Sequence, residues 1–442
     1  MTDQQKQTLL DQAKNILRKN NRGGFTVPTD RLYPFQWNWD SGFVSFGLAH
    51  FDLPAAMSEL RTLFTGQWEN GMVPHILFHS EKETTYFPNY QIWNAAVNAG
   101  APQKPVTSGI TQPPVHGFAL ERIYNLYREN KEVENFVREM FPKIVRFHRF
   151  FYEYRDPRKE GLVFIYHPWE SGRDNSPLWD EAMANIKINK NELPPYERQD
   201  NKIADPSERP TDADYDRYVY LLELGKKNKY DGPGIAANSP FLIQDTLFNA
   251  ILIKSNNALI NLGIQFDFDV SELEDWQAMS VGRFNEKLWN EELGIYVSYD
   301  LRAEKQIALN EIGGIAALFA ECVPFEQAEK INNYLTNLIK KDFFLCPTFD
   351  PADPKFDSKR YWRGPIWPHM NWLIYQGCIK YGFDQTAAQL KKDILGLVTQ
   401  FGFYEYYEPQ KKISQQLKKG YGGNDFSWAA SSIIDLLMKN EK

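Results

Sequence analysis

Residues 2–19 read TDQQKQTLLDQAKNILRK and carry a clear helical pattern. Thr2, followed three residues later by Gln5, forms a capping box in which each side chain bonds the backbone N–H of the other residue. Apolar residues then recur with helical spacing and fall on one face: Leu9, Leu10, Ala13, Ile16 and Leu17. The segment therefore predicts an amphipathic helix that packs its apolar face against the rest of the protein.

About twelve further segments show helical periodicity. They lie near residues 41–51, 54–66, 116–130, 133–153, 212–225, 241–262, 271–289, 308–320, 325–340, 367–381, 385–400 and 425–439. Strand signals are few: Leu162–His167 alternates weakly, and Gly294–Tyr299 predicts a short hairpin arm. We therefore predict an all-α fold with a few short strands in loops, built as a toroid of six helical hairpins. A helical solenoid has a similar helix count, but the absence of a fixed-period repeat favours the toroid.

The chain has 442 residues and no proline-rich, serine-rich or low-complexity linker, so we expect one domain over residues 1–442. Residues 181–211 break the helical pattern, because they are polar and contain four prolines, Pro194, Pro195, Pro206 and Pro210. A long stretch without predicted structure inside a compact domain is often a lid over a site. A mobile surface insertion is an equally good interpretation.

Composition and charge exclude several classes of function. A net charge of −7 argues against nucleic-acid binding. No apolar run reaches membrane-spanning length and the first residues lack a signal core, so we expect a cytoplasmic protein that binds no membrane. Three distant cysteines, Cys322, Cys346 and Cys378, fit a reducing compartment. No metal-site, phosphate-binding or dinucleotide motif occurs, so we expect no metal and no cofactor. A homo-oligomer is compatible with the sequence.

The chain is rich in aromatic residues, with 12 Trp and 23 Tyr, and these suit a site that binds sugars because sugar rings stack on aromatic faces. An aromatic helical core is the alternative, and it explains the Phe better than the Trp. Trp39, Trp362 and Trp367 are candidate sugar platforms, with core packing as the alternative. Hydroxyl-binding candidates, each with a structural alternative, are Asp40 (a helix N-cap), His75 (a satisfied structural histidine) and Arg363 (a loop ion pair). Arg363 is also a candidate to orient a carboxylate.

Two acidic motifs lie between predicted helices: ESGRDNSPLW at residues 170–179 and FYEYYEP at residues 403–409. Both place carboxyl groups among aromatic and turn-forming residues, where burial alters their pKa. Two such sites suggest glycoside hydrolysis, in which two carboxyl groups flank one bond, roughly 6.5–9.5 Å apart for inversion and about 5 Å apart for retention.

Asp174 is the candidate general acid, because desolvation beside Trp169 and Trp179 raises a carboxyl pKa. Its alternative is a helix N-cap or an Asx turn, and Asp180 and Glu170 are rival acids. Glu170 has a further alternative, a buried ion pair with Arg173. For the second motif, Glu405 is the candidate general base and Glu408 its rival, with a strand edge bearing two exposed acids as the alternative.

Three motifs together resemble glycoside hydrolase family 63: Glu170-Ser-Gly-x-Asp174, Trp362-Arg-Gly-Pro-x-Trp367 and Phe426-Ser-Trp428. This family is related to inverting trehalases and processing α-glucosidases, and its small bacterial members hydrolyse mannosylglycerate or glucosylglycerate. The resemblance covers nearly the whole chain. It implies an (α/α)6 barrel and hydrolysis with inversion, with Asp174 as the acid and Glu405 as the base.

The resemblance also implies a substrate site. Positions that match the family's sugar-binding residues are Tyr33, Trp39, Asp40, His75, Trp362 and Trp367. The glycerate carboxylate is held in the family by an Arg and a Tyr six positions apart, which match Arg209 and Tyr215, and by residues that match Gln112 and, more loosely, Tyr86. An arginine that pairs with a carboxylate in bidentate fashion is physically sound for this role.

One element departs from the family: where relatives have a Thr-Gly turn after the base, this chain has Pro409-Gln-Lys-Lys. The change alters a loop near the base and therefore bears on substrate choice. The sequence predicts an inverting glycoside hydrolase that acts on a small anionic glycoside, with a carbohydrate as its small-molecule partner. The alternatives are an α-glucosidase that acts on a neutral di- or oligosaccharide, a non-catalytic sugar-binding protein of the same fold, and a helical scaffold without a ligand.

Overall fold

The computed structural model describes residues 1–30, 32–80, 86–189 and 193–438. Its α-helices, in chain order, are α1 (Asp3–Asn20), α2 (Asn38–Ala49), α3 (Leu53–Phe64), α4 (Tyr90–Trp93), α5 (His116–Leu126), α6 (Lys131–Tyr154), α7 (Asp180–Ala184), α8 (Asp200–Ile203), α9 (Asp212–Lys227), α10 (Gly232–Asn238), α11 (Thr246–Gln265), α12 (Ser271–Lys287), α13 (Ile312–Ala316), α14 (Phe325–Ile339), α15 (Pro368–Lys380), α16 (Asp384–Phe401), α17 (Lys411–Ser414) and α18 (Ser427–Met438). The predicted capping box is present at the start of α1.

Short 3₁₀ helices and strands fill the connections between these helices. The 3₁₀ helices are Ala95–Val97, Pro168–Ser171, Pro177–Trp179, Pro206–Glu208 and Ala317–Ala320. The strands are β1 (Gln36–Trp37), β2 (Ile76–Phe78), β3 (Val106–Thr107), β4 (Ile243–Gln244), β5 (Trp289–Asn290), β6 (Ile295–Tyr296), β7 (Tyr299–Asp300), β8 (Lys305–Gln306), β9 (Tyr404–Tyr406) and β10 (Tyr421–Asn424). They form four small antiparallel sheets, with the orders β1-β2-β3, β4-β7-β8, β5-β6 and β9-β10.

Six inner helices contact one another in a closed ring. The ring runs from α2 to α5, α11, α13 with its 3₁₀ continuation, α15 and α18, and α18 packs against α2 to close it. The outer helices α1, α3, α6, α12, α14 and α16 alternate with the inner helices along the chain. This closed double ring is the predicted (α/α)6 barrel, and it rules out an open solenoid.

Burial explains which helices lie inside the ring. All 12 residues of α2 are buried, and α18 is buried from Ser427 to Leu436. A helix without an exposed face needs apolar or small residues all round, whereas an outer helix such as α1 needs only one apolar stripe. The apolar stripe predicted for residues 2–19 is buried as expected, because α1 packs against α18.

Two predictions about secondary structure require correction. The helix predicted near 212–225 forms as α9, but it lies in the long connection between α6 and α11 and is not part of the ring. Amphipathic spacing shows that one face is buried, but not which layer covers it. The strand predicted at Leu162–His167 does not form, because Ile165 makes only one isolated bridge, to Ile243. The hairpin arm predicted at Gly294–Tyr299 is confirmed by the pairing of β6 with β5.

The polar segment at 181–211 has more structure than its composition predicts. Apart from residues 190–192, which lie outside the described residues, it contains most of α7, all of α8 and the 3₁₀ helix Pro206–Glu208. Three of its charged residues, Asp200, Glu208 and Arg209, are buried. The segment therefore contributes to the interior of the protein, and its role as a lid stays a prediction.

The topology places the loops before the inner helices at one end of the barrel. Because inner and outer helices alternate, the inner helices run in the same direction and their N-termini share that end. Among the described helices, none combines the length and apolar character needed to cross a membrane.

Candidate active site

A cavity of about 640 Å³ opens at the end of the barrel where the inner helices begin. It is lined by Pro28, Tyr33, Trp37, Trp39, Asp40, His75, Tyr86, Phe87, Pro88, Gln112, Trp169, Gly172, Asp174, Arg209, Tyr215, Tyr361, Glu405, Phe426 and Trp428. This set includes every site residue predicted from the sequence except Trp362, Arg363 and Trp367. The structure thus brings together two carboxyl groups that are far apart in sequence.

The motif at 361–367 contributes to the cavity differently from the prediction. Trp362 and Trp367 are fully buried and stack on each other at 3.7 Å between ring centroids, so they pack in the core. The Arg363 guanidinium forms a bidentate ion pair with Asp180 at 2.8 and 2.9 Å, outside the cavity wall. These three predictions give way to their structural alternatives. Tyr361, which has a φ of +40°, reaches the cavity instead.

Glu405 lies in the middle of β9 and is fully buried. Its Oε1 accepts hydrogen bonds from the hydroxyls of Tyr33 at 3.0 Å and Tyr361 at 3.4 Å, and its Oε2 accepts one from the Gly423 N–H at 3.0 Å. Burial raises the pKa of Glu405, whereas the Arg209 charge and these donors lower it. The exposed-acid alternative is therefore wrong, since the carboxylate is enclosed by groups that stabilise its charged form.

Asp174 faces the same cavity from the turn before the 3₁₀ helix Pro177–Trp179. Burial raises the pKa of its carboxyl group to about 7; the charge of Arg209 acts against this rise and that of Glu405 adds to it. Ser176, rather than Asp174, caps this 3₁₀ helix by accepting the Leu178 N–H. The N-cap alternative for Asp174 therefore does not hold, and burial favours the protonated form of its carboxyl group.

The rival acids all have structural partners. Glu170 forms a bidentate ion pair with Arg155 at 2.9 and 3.2 Å, and not with Arg173, the partner that sequence order suggested. Glu408 accepts hydrogen bonds from the hydroxyls of Ser358 and Tyr421. Together with the ion pair of Asp180 already described, these contacts leave Asp174 and Glu405 as the only acids of the two motifs that line the cavity, among the residues that the structure describes.

Arg173, next to Asp174 in sequence, anchors this turn to the barrel. Its buried guanidinium pairs with Asp245 and Glu311, which are the N-cap residues of α11 and α13. A fully paired buried cation of this kind is costly to disrupt, because loss of one partner leaves an uncompensated charge. The turn that carries Asp174 is therefore tied to the starts of two inner helices.

Other residues that line the cavity present groups that suit sugar hydroxyls. Asp40, in the first turn of α2, is buried, and its Oδ1 has no hydrogen-bond partner among the described residues. His75 accepts or donates a hydrogen bond through Nδ1 to Ser108 at 3.3 Å, and burial holds its pKa well below the usual range, so the ring is neutral. Gln112 accepts the Trp39 N–H through Oε1, which directs its amide NH₂ away from that contact.

Several cavity residues were not predicted from the sequence: Trp37, Phe87, Tyr361, Phe426 and Trp428. Trp169 was predicted only as a neighbour that desolvates Asp174. Phe426 and Trp428 belong to the Phe426-Ser-Trp428 motif, and Tyr361 directly precedes the motif that begins at Trp362, so these motifs were a usable signal. Which aromatic residue of a motif faces the cavity depends on the backbone turn, and composition does not reveal it. The described residues contain no group of three or more His, Cys, Asp or Glu side chains arranged to hold a metal ion.

Gly172 allows the acid turn to approach Trp39 closely. Its φ is +70°, and a Cβ added there would lie 2.4 Å from Trp39 Cζ2. We expect Gly172→Ala to lower the free energy of unfolding by about 1–3 kcal/mol, through backbone strain and overpacking, and to reduce activity by displacing Trp39. Urea denaturation with an activity assay provides the measurement.

Gly282→Ala serves as the matched control for this prediction. Gly282 lies within α12, and an added Cβ meets nothing within 4 Å. Because alanine is the better helix former, we expect this change to stabilise the protein by about 0.5–1 kcal/mol. Equal urea midpoints for the two variants would contradict the close approach at Gly172.

Comparisons with known proteins identify the family of this chain. A family model described as the mannosylglycerate hydrolase MGH1-like glycoside hydrolase domain matches residues 33–429. The chain is 42% identical over 424 residues to a mannosylglycerate hydrolase of Thermus thermophilus, covering 96% of this chain and 99% of that protein. It is 35% identical to a glucosylglycerate hydrolase of Mycolicibacterium hassiacum, covering 97% of each chain.

A solved structure confirms the fold. The crystal structure of a GH63 mannosylglycerate hydrolase from Thermus thermophilus, in complex with Tris and D-glycerate, matches with a TM-score of 0.90 at 40% identity. The match covers 96% of this chain and 99% of that chain. Family model, relatives and structure all extend over nearly the whole barrel and its cavity. The chain therefore belongs to the family of mannosylglycerate hydrolase MGH1-like glycoside hydrolases.

Proposed function

We propose that this protein hydrolyses the α-glycosidic bond of mannosylglycerate or glucosylglycerate with inversion and releases the sugar and glycerate. The observation that carries this proposal is the pairing of Asp174 and Glu405 on one cavity, with the buried Arg209 interacting electrostatically with both. The names of the relatives and the D-glycerate bound in a related structure support the substrate class.

The reaction consumes one water molecule. Asp174 donates its proton to the glycosidic oxygen as the bond from that oxygen to the anomeric carbon breaks. Glu405 takes a proton from the water that attacks the same carbon on the opposite face. Glycerate leaves with the proton from Asp174, the sugar gains the water oxygen, and proton exchange with solvent restores both carboxyl groups.

The electrostatics support this assignment of roles. A general acid must hold a proton near working pH, and burial raises the pKa of Asp174 to about 7. A general base must be ionised, and the carboxylate of Glu405 receives donors from Tyr33, Tyr361 and Gly423. The two carboxyl groups therefore have environments suited to opposite protonation states.

The anionic part of the substrate has a matching set of donors. Arg209 is buried and its Nη1 has no hydrogen-bond partner among the described residues, so it can bind a carboxylate. Tyr86, Gln112 and Tyr215 line the same cavity and supply further donors. Tyr33, Trp39, Asp40 and His75 are assigned to the sugar.

The sequence departure after the base does not weaken this assignment. Pro409 accepts a hydrogen bond from the Phe344 N–H, and Gln410 forms a bridge with Phe343. The segment then continues into α17. None of these residues lines the cavity, so the altered loop packs on the barrel instead of facing the substrate.

The experiment that tests the proposal follows hydrolysis by ¹H NMR with a small panel of glycosides. We expect mannosylglycerate or glucosylglycerate to be cleaved far faster than the matching glycerol glycosides, trehalose or maltose, because only the glycerates offer a carboxylate to Arg209. The β-anomer of the sugar should appear first. Faster cleavage of a neutral glycoside would favour the α-glucosidase alternative, and the α-anomer as first product would exclude inversion.

We also infer a cytoplasmic location and keep the prediction that the segment at 181–211 closes over bound substrate. The free state of Cys322, Cys346 and Cys378 supports a reducing compartment. The position of Arg209 in the cavity, at the end of that segment, supports a role in substrate capture.

A further inference from the structure

Arg198 connects two of the side chains that are assigned to the aglycone, Arg209 and Tyr215, although it does not line the catalytic cavity. Its side chain is only 7% exposed. The guanidinium forms a bidentate ion pair with Asp200 at 2.8 and 3.1 Å, and its Nη1 bonds Asp212 at 2.8 Å. Its Cζ also lies 3.9 Å from the ring centroid of Tyr215, which is close enough for a cation–π contact.

Asp200 also binds Arg209, so it connects Arg198 to Arg209. Its Oδ2 accepts a hydrogen bond from Arg209 Nε at 3.1 Å, so one carboxylate holds both guanidinium groups. With Nε occupied, Nη1 of Arg209 is left to bind an anion. Nη1 lies 4.0 Å from Glu405 Oε2 and makes no hydrogen bond among the described residues.

The charges of this cluster explain why Arg198 is needed. Asp200 alone would neutralise Arg209 and repel a substrate carboxylate, since both charges are buried and poorly screened. Arg198 compensates Asp200, so that the three buried groups, Arg198, Asp200 and Arg209, together keep one net positive charge beside the cavity. Asp212, the other partner of Arg198, is 84% exposed, so solvent screens its charge. The guanidinium of Arg198 also packs against the face of the Tyr215 ring and restricts the position of that ring.

We infer that Arg198 is a positioning residue that determines specificity for an anionic aglycone, acting through Asp200 on Arg209 and directly on Tyr215. This inference rests on the proposed function, because it assumes that Arg209 and Tyr215 receive the carboxylate. It goes further in assigning the preference for a negative charge to a residue outside the cavity wall. A merely structural role would affect charged and neutral substrates alike.

The test compares Arg198→Gln with wild type on two substrates that differ in one group. These are the glycerate glycoside and the glycerol glycoside, in which CH₂OH replaces the carboxylate. We expect kcat/KM for the glycerate glycoside to fall by about 10- to 100-fold, as for loss of a charged hydrogen-bonded group, mainly through KM. The kcat/KM for the glycerol glycoside should change by less than about threefold, because this substrate has no carboxylate for Arg209 to bind.

A second variant distinguishes an effect of the uncompensated charge from a loss of correct folding. Arg198→Gln combined with Asp200→Asn removes the uncompensated carboxylate, while the asparagine oxygen can still accept from Arg209 Nε. We expect this double variant to recover most of the lost kcat/KM for the glycerate glycoside. Equal losses on both substrates, or no rescue, would overturn the inference and assign Arg198 to folding alone.

Calorimetric titration with D-glycerate gives a readout that does not depend on turnover. Weaker glycerate binding by Arg198→Gln than by wild type supports the inference even if neither glycoside is hydrolysed, an outcome that would count only against the proposed function. Equal binding, or no binding to wild type, would overturn the inference. Arg149→Gln, which removes an exposed bidentate pair with Glu272 that does not line the cavity, is the matched control and should behave as wild type.

Discussion

Replacing Asp174 with asparagine is expected to lower kcat for the glycerate glycoside by about 10²- to 10⁴-fold, the usual contribution of a general acid or base. The asparagine side chain has the same shape but no proton to give to the leaving oxygen. Because the cavity and Arg209 stay intact, KM should change little. Steady-state kinetics on the purified variant provides the measurement.

A substrate with a different leaving group identifies the role of Asp174 directly. A glycosyl fluoride leaves without protonation, so the Asp174→Asn variant should hydrolyse it at a rate near that of wild type. In wild type, kcat/KM for the glycerate glycoside should fall as pH rises through about 7, because Asp174 works only while protonated. The variant acting on the fluoride should lack this alkaline limb.

Asp180→Asn is the matched control for this prediction. Asp180 pairs with Arg363 outside the cavity, so its loss should reduce activity by less than about tenfold, the equivalent of one modest polar contact. If Asp180→Asn were inactive while Asp174→Asn remained active, the assignment of the acid would be wrong. Retained activity of Asp174→Asn on the glycerate glycoside would also contradict it.

Replacing Glu405 with glutamine is expected to abolish hydrolysis of both substrates. The neutral amide cannot accept a proton from the attacking water, so kcat should fall by about 10²- to 10⁴-fold for the glycerate glycoside and also for the glycosyl fluoride. This common loss distinguishes the base from the acid, since Asp174→Asn should spare the fluoride. Single-turnover measurements on both substrates provide the comparison.

Glu408→Gln tests whether activity requires the carboxylate at Glu405 in particular or only an acidic side chain in the motif. Glu408 accepts hydrogen bonds from Ser358 and Tyr421, and a glutamine oxygen can still accept them. We expect the variant to keep kcat within about tenfold of wild type, the cost of one weakened hydrogen bond. Loss of activity in Glu408→Gln together with normal activity in Glu405→Gln would reverse the two assignments.

The sequence alone was sufficient to predict the layer architecture of the protein. Helical periodicity and caps depend on neighbours within a few residues, so α1 and most ring helices begin and end near their predicted bounds. The same local logic placed Asp174 and Glu405 between helices, among residues suited to bury them. The motif resemblance then added Arg209 and Tyr215, whose six-residue spacing no physical rule on its own would have selected.

Only the tertiary structure decided which of several similar side chains face the cavity. Tyr361 reaches it while Trp362 and Trp367 stack in the core, because the chain turns at Tyr361. Glu170 is held by Arg155, a partner that sequence order did not suggest. The ion pairs that connect Arg198 through Asp200 to Arg209 were likewise not predictable from the sequence. Orientation and ion pairing depend on contacts between distant segments, whereas helix formation depends on near neighbours, and a single sequence reports directly only on the latter.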